Sequence, residues 1–252
     1  RCMVREPDDR VQSGGRFPLI EQRTGHMGRI KEAIRKWKLA RKSPAEVFSA
    51  YYRHNKWGDA ESRSGKGSNL EATKELREKL PALVNELKVE SFLDLPCGDY
   101  FWMARTDLGV ARYTGGDIVP ELIEANRAAY AYDGVVFEVI DLIKGPVPRH
   151  DLVLVRDCLV HLSSGHVKAA LRNIKVSGSE WLLTTTYPGT GSSDEISTGQ
   201  WRSIDLEAPP FNLPAPAGLL EEGQEHVKGQ MPNKMLGLWR VADLPDWEAV
   251  PT

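Results

Sequence analysis

Four apolar segments of this chain, residues 91–95, 112–118, 134–142 and 151–157, each carry an aspartate at or beside their carboxyl end: Asp94, Asp117, Asp141 and Asp157. Helix-like stretches separate them, so the chain alternates strand, helix, strand. That order demands right-handed crossovers and a parallel sheet covered on both faces. Ligands of open parallel sheets bind beyond the carboxyl ends of the strands, where the strand order reverses. A single aspartate there could be a helix cap or a turn residue. Four at one edge point to a ligand offering hydroxyl, ammonium or amino donors, which carboxylates accept.

"SFLDL" (91–95), "RYTGGDI" (112–118), "GVVFEVIDL" (134–142), "DLVLVRD" (151–157), "EWLLTTTYP" (180–188) and "KMLGLWRV" (234–241) read as strands. Helices are expected over Leu70–Leu87, with Leu76, Leu80, Leu83, Val84 and Leu87 as the apolar face, over 99–107, from Pro120 to Tyr130, and from Ser163 to Ile174. Residues 189–234 are rich in Gly, Pro, Ser and Asn, and a long irregular segment of this kind is a lid or a loop. Residues 28–56 are basic and helix-periodic, with Ile30, Ala33, Ile34 and Trp37 on one face. They are expected to pack on the domain or on another subunit, which would make a homodimer. Residues 1–27 lack periodicity, and "GHM" at Gly25–Met27 resembles a cloning junction. The expected division is a leader over 1–27, a basic helix and lid loop over 28–69, and an α/β domain over 70–252.

At 252 residues, 41% of them hydrophobic, the chain can bury the core of one large domain. Its formal net charge of −2 gives no pull toward nucleic acid or anionic membrane. No apolar run reaches the roughly 18 residues of a membrane span. Cys2, Cys97 and Cys158 cannot all pair and lack zinc spacing, so a cytoplasmic location is expected. Cys97 and Cys158 read as small packing residues at strand ends rather than as nucleophiles.

The turn after the first strand discriminates among ligands. A dinucleotide site needs G-x-G-x-x-G there, so that backbone can approach a pyrophosphate. Pro96-Cys97-Gly98-Asp99 has one glycine and an added negative charge. It would repel pyrophosphate and suits a cationic ligand bearing sugar hydroxyls.

The ordered set "FLDLPCGD", "YTGGDIVPELI", "VIDLIKG" and "LVRDCLVHLS" resembles the class I S-adenosylmethionine (SAM) dependent methyltransferases over about residues 91–187. The resemblance implies a doubly wound, mostly parallel seven-stranded α/β sheet and SAM as cofactor. It places Asp94, Pro96, Cys97 and Gly98 beside the methionine moiety. Asp117 falls on the ribose with Ile118 on the adenine, and Asp141 falls on the adenine amino group with Leu142 beside it. The P-C-G turn departs from the commoner G-x-G of that family.

SAM supplies an activated methyl, so such a protein must align an acceptor and take its proton. Arg156, Asp157 and His161 follow the fourth strand at the mouth of the crevice, Arg156 next to the cofactor. Asp157 and His161, four apart, would share a face of a helical turn, with His161 as general base and Asp157 as its catalytic partner. Sugar-modifying members of the family use a similar pair, some with magnesium. One carboxylate is too little to assign an ion here, so no metal ligand is named. Arg63 and Ser64 upstream, and Tyr187, Trp201 and Arg202 downstream, mix aromatic plates with polar forks that suit a saccharide or glycosylated small molecule. Two other readings stay open: methylation of another small metabolite at nitrogen or a phenol, and a catalytically silent SAM-binding module.

Overall fold

The computed structural model describes residues 39, 41–191, 194–222 and 234–247. The leader 1–27 and most of the expected basic helix lie outside them. From the amino end come α1 (Pro44–Arg53), α2 (Lys74–Glu86), β1 (Ser91–Asp94), β2 (Arg112–Asp117), α3 (Pro120–Tyr130), β3 (Val135–Val139) and β4 (Leu152–Val155). Then follow α4 (Ser164–Ser177), β5 (Trp181–Thr186), β6 (Gly218–Glu221) and β7 (Met235–Arg240). The strands form one sheet of order β3-β2-β1-β4-β5-β7-β6. The first five run parallel, while β7 pairs antiparallel with both β5 and β6.

Burial on both faces explains why the central strands read as continuous apolar runs. Every residue of β1, β4 and β5 is buried. One face packs Leu93, Val153 and Leu182 against Val167, Ala170, Leu171 and Ile174 of α4. The other packs Phe92, Leu152 and Leu154 against Leu76, Leu80 and Val84 of α2 and against Leu122 and Ile123 of α3. Each such fully buried aliphatic side chain contributes about 1.5–3 kcal/mol. Among the described residues no helix is long and apolar enough to cross a membrane.

Local chemistry sets the helix bounds. Ser43 and Glu46 form a capping box around Pro44, so within 28–56 a helix starts at Pro44, after a turn at residues 41–42. Ser163 caps α4 by accepting from the His166 N–H, and Gly178 at φ 68° ends it. The helix expected over 99–107 is instead a turn and one 3₁₀ turn, Met103–Arg105. Gly98 and Tyr100 are both left-handed, at φ 54° and 57°, which blocks an earlier start. β6 is a four-residue edge strand whose burial alternates, so it carries no apolar run for a sequence reading to catch.

Gly237 in β7 lies under the Trp239 ring, and a Cβ there would sit 2.2 Å from the indole. Trp239 is buried and its Nε1–H donates to the Pro214 carbonyl at 2.7 Å, so the ring cannot easily retreat. Gly237→Ala should therefore lower unfolding stability by about 1–3 kcal/mol through overpacking. Urea denaturation followed by tryptophan fluorescence would measure it.

Candidate active site

The order of strands reverses between β1 and β4, and a cavity of about 410 Å³ opens at their carboxyl ends. On its β1 side Asp94 is buried and accepts from the Tyr113 hydroxyl at 2.8 Å. Burial raises its pKa to about 7, against the pull of Tyr113 and Arg156. The following turn is pinned by the Cys97 N–H on the Gly116 carbonyl and by the Asn126 amide on the Gly98 carbonyl. At Gly98 a Cβ would meet the Ser64 hydroxyl at 2.2 Å, so no side chain fits.

Asp117 ends β2 and is buried, accepting from the N–H groups of Val119 at 3.0 Å and Gly98 at 3.3 Å. Burial raises its pKa to about 6 despite those bonds. Asp141 accepts from the N–H groups of Ile143 and Lys144 through one oxygen, and its other oxygen has no partner among the described residues. Ile118 and Leu142 add apolar walls, and Pro96 and Cys97 complete the lining of the turn. Hydroxyl acceptors, apolar plates and a backbone surface without a side chain fit a nucleoside such as that of SAM.

Cys97 and Cys158 both have their thiols pushed up by burial, Cys158 to about 12, which leaves them unreactive packing groups. Arg156 lies over the Trp102 ring, with its Nε on Glu222 at 2.7 Å and its Nη1 3.4 Å from Asp157. Asp157 itself is left-handed at φ 50°, outside the 3₁₀ turn Leu159–His161 that follows. The two therefore do not stack on one helical face, and Asp157 meets the Lys234 ammonium at 2.7 Å. Burial would raise its pKa, but Lys234 and Arg156 prevail and hold it at about 2.

His161 is held from the opposite wall. The Gly199 N–H donates to its carbonyl, the Arg202 N–H donates to the Val160 carbonyl, and its Nδ1 lies 2.9 Å from the Gln200 carbonyl. A carbonyl only accepts, so Nδ1 carries the proton and Nε2 keeps a lone pair. Nε2 has no partner among the described residues. Burial lowers the imidazole pKa, outweighing the Gln200 carbonyl and Asp157. Trp57 tilts over the ring at 6.1 Å.

Aromatic side chains from several segments line the outer cavity: Phe48, Tyr52, Trp57, Tyr187 and Trp201. Tyr187 is buried and meets Trp201 edge-on, while Trp201 remains 44% exposed. Arg63 lies over the Tyr52 ring at the rim. Arg202 sits elsewhere: it is buried over Phe211, it does not line the cavity, and its three guanidinium nitrogens have no hydrogen-bond partner among the described residues.

Sequence reasoning misplaced one contributor, Asp99, and passed over three. Asp99 accepts from the Ser62 hydroxyl, the Arg63 N–H and the Ser64 hydroxyl, so the second acid of "LPCGD" anchors the upstream loop instead of facing a ligand. Trp57, Glu222 and Lys234 are single residues in irregular or terminal positions, where no periodicity marks them. Among the described residues no group of three His, Cys, Asp or Glu side chains could hold a metal ion.

No family model matches the chain, and no curated protein matches it. Solved structures do. Magnesium protoporphyrin IX methyltransferase from Synechocystis PCC 6803, with bound SAM, is 14% identical at a TM-score of 0.52, over 80% of this chain and 99% of that one. Human N-acetylserotonin methyltransferase in complex with SAM is 14% identical at a TM-score of 0.51, over 85% of this chain and 66% of that one. The methyltransferase domain of a bacterial Hen1 protein matches over 47% of this chain and 66% of its own length, at 14% identity and a TM-score of 0.41. The first two likenesses show the class I methyltransferase fold.

Asp99→Ala removes the acceptor of three bonds from residues 62–64. Amide exchange over 59–68 should accelerate in this variant, while β1 and β4 keep their protection. Unchanged exchange over 59–68 would mean the loop is held by other contacts.

Proposed function

We propose that this chain is a SAM-dependent O-methyltransferase acting on a hydroxyl of a carbohydrate or glycosylated small molecule. The observation that carries the reading is His161 at the mouth of an acid-floored cleft, its Nδ1 tied to the Gln200 carbonyl and its Nε2 uncommitted. SAM, when bound, supplies a methyl group on a sulfonium. Asp117 accepts from the ribose hydroxyls, Asp141 from the adenine amino group, and the Gly98 turn lies along the methionine. Arg63, Tyr187 and Trp201 shape the space for the acceptor, and Ser64 acts through its grip on Asp99. Nε2 of His161 would take the hydroxyl proton of the acceptor as its oxygen is methylated. The ring-lined outer cavity also supports a second reading, a phenolic hydroxyl on a flat ring.

Calorimetry should show SAM or its demethylated product, S-adenosylhomocysteine, binding where NAD and ATP do not. Tight NAD binding would overturn the cofactor assignment. Asp117→Ala should weaken the nucleoside by about 1–3 kcal/mol through lost charge-assisted hydrogen bonds. The ligand's donors need the ionised carboxylate, and burial has raised the Asp117 pKa to about 6. Below that pH a proton must leave on binding, so affinity should fall, by up to about tenfold per pH unit. Affinity that is flat from pH 7 to pH 5 would remove Asp117 from the site.

A screen of hydroxylated acceptors with labelled SAM identifies the substrate class. On the acceptor it returns, His161→Ala should lower kcat by about 10²–10⁴-fold and leave SAM affinity unchanged. The wild-type rate should rise with pH through an apparent pKa below the usual histidine value, because burial favours the neutral base, and the variant should lose that limb. Wild-type kcat in His161→Ala would end the base assignment.

A further inference from the structure

Lys234 belongs to no motif, yet it completes a closed ring of four buried or half-buried charges on the cavity wall. Its ammonium lies 2.7 Å from Asp157 Oδ2 and 3.2 Å from Glu222 Oε2. Arg156 closes the other side, with Nε 2.7 Å from Glu222 Oε2 and Nη1 3.4 Å from Asp157 Oδ2. Two cations and two carboxylates cancel, so the ring can be buried without a net charge. It draws together the carboxyl ends of β4 and β6 and the amino end of β7, which runs antiparallel and so begins at the same edge.

Two features set this ring apart from a purely structural clamp. Lys234, Arg156 and Asp157 all line the cavity. The Lys234 ammonium has three donors: one bonds Asp157 at 2.7 Å, and the ion pair with Glu222 at 3.2 Å engages at most one more, which leaves one without a partner among the described residues. Glu222 does not line the cavity and backs the ammonium from within the wall, and its Oε1 has no donor among the described residues.

We propose that Lys234 is the cationic group of the acceptor site: seated on Asp157 and Glu222, it donates its remaining N–H to the acceptor's reacting oxygen. There it favours the oxyanion character that develops as the hydroxyl proton departs, the part a divalent ion plays where carboxylates hold one. The assignment rests on the hydroxyl-acceptor reading above. Burial would lower the ammonium's pKa, but Asp157 and Glu222 outweigh burial and the repulsion from Arg156, so it stays charged through the neutral range. His161 is the remaining titratable group that feels it, and Lys234 helps to keep that imidazole neutral.

A chromogenic hydroxyl tests this without knowledge of the natural acceptor. 4-Nitrophenol is titrated against protein loaded with S-adenosylhomocysteine, and its ionisation is read from the visible absorbance. In the wild type the bound phenol should ionise roughly one to two pH units below free 4-nitrophenol, the size of one charge-assisted hydrogen bond. Lys234→Met should abolish the shift and Lys234→Arg should keep most of it. His161→Ala should retain the shift, which separates this role from that of the base, whose failure would show only in turnover. Calorimetric S-adenosylhomocysteine affinity within a few-fold of wild type certifies that each variant is folded. An equal shift in wild type and Lys234→Met overturns the proposal, and so does failure of 4-nitrophenol to bind the loaded wild type. Loss of S-adenosylhomocysteine binding in both Lys234 variants would make the residue structural and overturn it equally.

Discussion

The right-handed crossover between parallel strands governs everything else in this protein. Each crossover returns the chain to the same starting edge, so every strand-to-helix turn opens at the opposite one. Asp94, Asp117 and Asp157 are thereby gathered at one edge from positions far apart in sequence, although none hydrogen-bonds another. The sheet also makes them expensive. Two of them, Asp94 and Asp117, are buried deeply enough that their pKa values rise to about 7 and about 6. A cation seated between carboxylates relieves that cost at Asp157, which Lys234 and Arg156 hold at about 2. The edge is therefore graded, from carboxylates held by neutral donors to one held by two cations.

Architecture was legible in the sequence because it depends on patterns that repeat. The apolar runs at 91–95 and 151–157 are buried on both faces, and α3 runs from Pro120 to Tyr130 as its periodicity and leading proline indicate. Where a single backbone angle decides, periodicity is silent. Left-handed Gly98 and Tyr100 convert the helix expected after β1 into a turn, and left-handed Asp157 lies outside the 3₁₀ turn that carries His161. β6 escaped for a different reason: four residues at a sheet edge with alternate exposure carry too little apolar signal.

The site was legible where chain order placed it and obscure where tertiary contact did. The acids at strand ends and His161 follow from topology, and all of them line or floor the cavity. Trp57 and Lys234 reach it from an irregular segment and from the start of a strand, and Glu222 backs Lys234 from inside the wall. Only the folded chain reveals that Lys234 stands 77 positions from the aspartate it pairs with. Arg202 shows the converse: an arginine next to a cavity tryptophan in sequence can turn away into the core.

The strap from Gly199 to Arg202 hydrogen-bonds the backbone at Val160 and His161, accepts from the His161 ring through Gln200, and presents Trp201 to the cavity. One short piece of chain thus forms part of the wall and mounts the imidazole. A substitution that reshaped this wall for a different occupant would also tilt the ring. Change in what the cavity admits and change in how the imidazole points are inherited together, so new specificities should arise from the Tyr52 and Arg63 side of the cavity, where neither residue bonds that strap among the described contacts.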